Sequence, residues 1–152
     1  MQFEDQILKM TGKLNIVLYD ADGNIKEERE VPNIVTTAGK TFIASRMAGT
    51  SSAVMGYMEV GTDTTAAAVG QTALIAPVAS SRTATSVSGG TPSTNTVQYA
   101  TTFGAGTGTG ALTEAGIFNA SSSGTMLCRT VFSVINKGAS DSMTITWTVT
   151  IN

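Results

Sequence analysis

The chain has 152 residues, of which 13% are charged, and a formal net charge of −2. That length suits one domain with its own core, while a charged fraction near half the usual ~25% leaves Thr, Ser, Asn and Gly to cover the surface. With no basic stripe, no histidine and one cysteine, the composition argues against nucleic-acid binding. It also removes Ser-His and Cys-His nucleophile pairs and the commonest metal ligand, and excludes an internal disulfide.

Residues 1–11 set Phe3, Ile7, Leu8 and Met10 among charges and read as an N-terminal arm ahead of a single body over residues 12–152. The arm lacks the basic, apolar and small-residue order of a signal peptide, and no apolar stretch approaches ~18 residues, so neither secretion nor membrane insertion is expected. Leu14, Ile16 and Leu18 alternate with Lys13, Asn15 and Val17, which indicates a strand over 13–19. The turn Asp20-Ala21-Asp22-Gly23-Asn24 reverses it. Residues 25–31 return as its partner, and their charges Glu27, Glu28, Arg29 and Glu30 suit a sheet edge.

Residues 36–48 form the one expected helix, with Thr36 or Thr37 as N-cap and Gly49 closing it. Its apolar side would carry Val35, Ala38, Phe42, Ile43, Ser45 and Met47. Residues 55–60 make a short strand. Further strands are expected at 82–87, 96–103, 112–119 and 126–137, separated by Gly, Ser and Thr clusters at 88–95, 104–110 and 120–124. Met143, Ile145, Trp147, Val149 and Ile151 then alternate with threonines, giving a last strand with one buried face. The expected fold is mainly all-β, a β-sandwich or jelly-roll-like barrel of seven or eight strands with one α-helix.

Candidate chemistry is sparse. Thr37-Ala38-Gly39-Lys40-Thr41 has the tail of a phosphate-binding loop, but Ile34 stands where the motif needs its first glycine, so ordinary helix-start chemistry is the better reading. The Asp20 to Asn24 turn has its glycine fourth and Val31 in twelfth place, against the sixth and twelfth positions of a calcium loop. The glycine-rich run 104–110 precedes a strand, not a helix, and is read as a mobile loop rather than a dinucleotide site. Of the acids Glu59, Asp63, Glu114 and Asp141, none can be placed at catalytic separation from another, and Glu114 is expected to pair with Arg129 or Arg82. Cys128 and Trp147 both fall in apolar phase and are expected in the core. The chain is therefore expected to be no enzyme, with no catalytic residue, cofactor or metal site.

Four segments resemble a family of small tailed-bacteriophage virion proteins: Asn33-Ile34-Val35-Thr36-Thr37-Ala38-Gly39-Lys40, Met58-Glu59-Val60-Gly61-Thr62-Asp63-Thr64-Thr65-Ala66, Leu112-Thr113-Glu114-Ala115-Gly116-Ile117-Phe118-Asn119, and residues 126–133 leading into Thr144-Ile145-Thr146-Trp147-Thr148. The likeness runs from residue 33 onward and does not cover 1–32. It implies a virion structural protein made in the host bacterial cytoplasm, a decoration or cement protein that binds the major capsid protein on the outer surface of the head. The same module in tail fibres gives the alternative, a tail-fibre or tail-tip component. The expected mechanism is adhesive, with avidity over a repeating lattice, a dimer or trimer of the chain, and neither nucleic acid nor membrane as partner. Phe3, Ile7 and Leu8 are the first expected contact residues, followed by the loops 88–95 and 104–110, the latter through Thr107 and Thr109.

Overall fold

The computed structural model describes residues 9–50 and 52–152. Among the described residues the nine strands are β1 (Met10–Tyr19), β2 (Ile25–Val35), β3 (Tyr57–Gly61), β4 (Thr83–Ala84), β5 (Thr91–Ser93), β6 (Thr96–Phe103), β7 (Gly110–Phe118), β8 (Met126–Lys137) and β9 (Ser142–Ile151), and the helix is α1 (Thr37–Met47). All pair antiparallel in one curled sheet of order β4-β3-β7-β8-β2-β1-β9-β6-β5. Among the described residues the all-β expectation with a single helix holds. The count is nine because the loop at 88–95 contains β5, three exposed residues laid against β6.

Alternation explains β1 and β9. Leu14, Ile16 and Leu18 are buried with Met143, Ile145, Trp147 and Val149, while the intervening residues face outward. The curl brings these side chains onto Met58, Val60, Leu112, Ile117, Cys128 and Ile135 from the other half of the sheet, so one core serves both. A bond from the Ser86 N–H to the Ala100 carbonyl (2.8 Å) ties the segment after β4 to β6 across the curl. Two expected core residues lie outside it: Ile151 is 40% exposed and Met47 is 85% exposed. Ile151 is the last residue of its strand and Met47 the last of its helix, where the neighbouring layer no longer covers the chain.

The edge placement of β2 needs correction, because β2 lies between β1 and β8. Its charges are nonetheless at a free edge. The β2 to β8 ladder consists of Ile34 opposite Arg129 and Val35 opposite Cys128, and the remainder of β2 is laddered to β1 alone. Across the resulting seam, Arg29 donates to the carbonyls of Ser133 (2.7 Å) and Val134 (3.3 Å), and the Thr130 hydroxyl donates to the Pro32 carbonyl (2.7 Å). Side chains thus satisfy carbonyls that a missing ladder leaves open.

Helix α1 starts where β2 ends. Thr36 is the N-cap: its hydroxyl accepts from the Gly39 N–H (2.9 Å) and donates to the Met126 carbonyl (2.7 Å). Gly39 is the one buried residue of the helix, and a Cβ there would stand 2.3 Å from the Leu127 carbonyl oxygen. Glycine at 39 therefore sets how closely the helix approaches β8, not how a phosphate is cradled.

Candidate functional site

Two places combine unusual chemistry with defined geometry. The first is a buried ion pair under the loop of residues 62–76. That loop leaves β3 at Gly61 and closes on itself, with the Thr62 N–H bonded to the Ala76 carbonyl (2.9 Å) and the Val78 N–H to the Val60 carbonyl (2.9 Å). Loops of this length with adjacent ends need their own internal packing, and here a charged pair supplies it. Glu114 on β7 and Arg129 on β8 are both fully buried, with Arg129 Nε 3.0 Å and Nη2 2.8 Å from Glu114 Oε2.

Both partners also bond to the loop. Glu114 accepts from the N–H groups of Ile75 (3.1 Å) and Ala76 (2.8 Å), while Arg129 Nη1 donates to the Thr65 carbonyl (3.0 Å) and to Gln71 Oε1 (2.9 Å). Gln71 Oε1 also accepts from the Ala68 N–H (2.9 Å). A Cβ at Gly61 would lie 2.4 Å from Glu114 Oε1, so the approach of strand to carboxylate requires glycine there. At the far side of the loop, the Val69 carbonyl accepts from the Thr37 N–H (2.7 Å) in the first turn of α1. The helix start that resembled a phosphate loop is thus covered by protein acceptors, Thr36 and Val69.

Of the two partners expected for Glu114, Arg129 is the one it meets, and the other acids are also engaged. Arg82 lies 2.9 Å from Glu59 and places its guanidinium 3.5 Å from the centre of the Phe118 ring, within cation–π range. Hydrogen bonds from Thr65 hold the Asp63 carboxyl below the usual carboxylate range, with Arg129 adding a weaker pull from 3.8 Å. Asp141 receives Lys26 Nζ at 2.7 Å and the Gly138 N–H at 2.8 Å, and its pKa is lowered by these contacts in that order. Lys137 is almost fully buried and donates to the carbonyls of Gly104 (2.9 Å) and Asp141 (2.8 Å); burial lowers its pKa. In the hairpin, Asp20 accepts from the N–H groups of Asn24 and Asp22 (both 2.9 Å), so its carboxylate shapes the turn. Among the described residues no cluster of three or more His, Cys, Asp or Glu could hold a metal.

Cys128 and Trp147 are in the core as expected, both at 0% exposure. Burial pushes the Cys128 thiol up to about 12, so it stays protonated and unreactive near neutral pH.

The second place is an apolar groove of about 460 Å³ between α1 and the sheet end where β1 begins and β9 finishes. Met10, Ile43, Val97, Tyr99, Leu127 and Val149 line it, and Arg46 is the charged residue at its wall. This groove escaped the sequence reading. Each lining residue is in apolar phase within its own element, but the groove exists because the helix lies across strand ends, which no single periodicity encodes. Ile151 and Met47, which their phase assigned to the core, instead lie exposed among its lining residues.

Of the expected contact residues, Phe3, Ile7 and Leu8 lie outside the described residues. Thr109 is exposed and Thr107 partly so, on the loop between β6 and β7. This loop is anchored, contrary to the mobile reading: the Gly106 N–H bonds to the Ala139 carbonyl (2.8 Å), and Gly108 is buried against Val60, Phe103 and Ser81. No protein-family model matches the chain, and neither a curated protein nor a solved structure matches it.

Proposed function

We propose that the chain is a non-enzymatic structural protein of a tailed-phage virion, a decoration or cement protein that binds the outer surface of the head and stabilises the major-capsid lattice. The observation that carries this reading is where the charges go. Glu114, Arg129, Lys137, Asp141, Glu59 and Arg82 are tied to one another or to backbone, the exposed charges lie within residues 9–46, and beyond them what faces outward is largely threonine and small residues, with an apolar groove at one end. Such a surface is inexpensive to strip of water over a broad area and offers little to steer or activate an ionic substrate.

The mechanism is attachment by many weak contacts. The short strands β4 and β5 end the sheet and present backbone groups to which another chain can add a strand, and Thr107 and Thr109 offer hydroxyls on an anchored loop. Modest area per copy, repeated over a lattice and over a dimer or trimer, yields a stable shell. Gold-labelled antibody against the chain, imaged on particles from the source of the protein, tests this. Label over the whole head surface is the expected result; label confined to the tail selects the fibre or tail-tip role, and a freely diffusing monomer absent from any particle overturns both.

A further inference from the structure

We propose that the seam between β2 and β8 is the line along which the curled sheet opens, with Arg29 as its latch and Thr36 as its hinge. The inference does not depend on the virion reading. The ladder stops for reasons written in both strands. Past Ile34 opposite Arg129, the same register sets Pro32 opposite Val131. The Pro32 carbonyl accepts from the Thr130 hydroxyl, so it points at β8. In an extended strand the N–H of a residue points the same way as its carbonyl, and proline has none to offer. β8 is irregular at the same level: one residue, Thr113, separates Leu112 from Glu114 on β7, whereas three separate their β8 partners Ile135 and Val131.

Side chains hold what the backbone does not. The Arg29 guanidinium donates to the carbonyls of Ser133 (2.7 Å) and Val134 (3.3 Å), both in that irregular stretch, and also meets Glu27. Lys26 Nζ lies 2.7 Å from Asp141 further along. Lys26, Arg29 and Glu27 are partly open to water, so these contacts resist separation less than the long ladders that join β2 to β1 and β1 to β9. At the closed end, Asn33 Nδ2 and Oδ1 are buried and meet, among the described residues, no polar partner other than the weakly bonding thiol of Cys128. That desolvation cost is relieved when the seam opens. Beyond Val35 the chain is fixed again, because the Thr36 N–H bonds to the Leu127 carbonyl (3.0 Å) and its hydroxyl to the Met126 carbonyl (2.7 Å). Opening therefore parts residues 25–35 from β8, with β2 still laddered to β1, and stops at Thr36.

The chain carries its own reporter of this motion. Cys128 is its one thiol and stands at the closed end, fully buried opposite Val35, so labelling by the thiol reagent DTNB reads the opening. The unmodified chain is expected to label faster than global unfolding allows, with a weaker urea dependence. Arg29→Ala should raise the labelling rate about tenfold, since charge-assisted bonds to two carbonyls are lost. Arg29→Lys, which keeps the charge but lacks the fork, should raise it less, and Thr144→Ala, on the outer face of β9, should leave it unchanged. Labelling of the unmodified chain that tracks global unfolding in urea overturns the proposal, whether or not the variants fold. So does a folded Arg29→Ala variant that labels no faster than the unmodified chain, or an equal rise in Thr144→Ala.

Discussion

Strands β1, β9 and β6 are held in place by alternation, whereas β3, β7 and β8 carry charge in their interior. In the first region buried and outward-facing residues alternate with period two, and burial of Leu14, Ile16, Ile145 and Trp147 fixes the register, because a slip by one residue would turn the whole set to solvent. In the second, Glu114 interrupts the apolar run of β7 and is fully buried. It is tolerated because Arg129 and two loop amides meet it, and the pair in turn fixes a segment, 62–76, that has no ladder of its own. The contrast teaches that hydrophobic burial is enough where a ladder already orders the backbone. Directional, charge-assisted bonds are needed where it does not.

Breaking the charged region should have the largest effect. Arg129→Ala leaves Glu114 buried without its counter-charge and should destabilise the fold by ~3–5 kcal/mol in urea unfolding. Amides 62–76 should lose hydrogen-exchange protection first. Equal loss of protection across β1 and β9 would show that the two regions do not separate as described. Gly39→Ala tests the joint between them: the added methyl meets the Leu127 carbonyl, and overpacking of this kind costs ~1–3 kcal/mol. Thermal unfolding of that variant should show the loss, and an unchanged midpoint would mean that α1 floats on β8.

Acid acts on the same contrast, since the shifted carboxylates lie in turns and loops rather than in the alternating strands. Asp20, Asp63 and Asp141 have folded pKa values below the ordinary 3.8. Each therefore contributes stability that is present above that value and lost as pH falls through its folded value. Stability should be flat from neutral pH to about 5 and decline below about 4, with a shallower acid limb in Asp141→Asn. Lys137 works in the opposite sense: burial lowers its pKa from 10.5, so the unfolded chain holds the proton more tightly and stability rises as pH climbs toward that value. Lys137→Met should abolish this alkaline gain. The smallest effect belongs to the outer face of the first region. Thr102 and Thr144 share a hydroxyl hydrogen bond of 3.0 Å in solvent, and Thr144→Ala should cost ~0.2–1 kcal/mol, as such cross-strand pairs do.

Much of the architecture was legible along the chain because its signals are local. Periodicity placed β6 and β8 at their observed limits, the Asp-Gly turn joined β1 to β2, and Thr36 and Gly49 bounded the helix. That Glu114 needs an arginine was legible as well, since an acid inside an apolar strand demands a partner, but the choice of Arg129 over Arg82 was made by the packing of β7 on β8. Weaker signals failed where neighbours decide. The three residues of β5, Thr91, Pro92 and Ser93, became a strand because β6 offered a free edge, and the charged start of β2 faces an open seam within the sheet rather than its outer margin.

The sequence by itself determined that this is a β-rich chain with one helix, a low-charge exterior and a buried thiol and tryptophan, because strand alternation and composition act residue by residue. The curl of the sheet was a tertiary decision. So were the anchoring of loop 62–76 by Glu114 and Arg129, and the apolar groove beneath α1. Each depends on side chains far apart along the backbone, and their meeting is set by how whole elements pack, which no local pattern records.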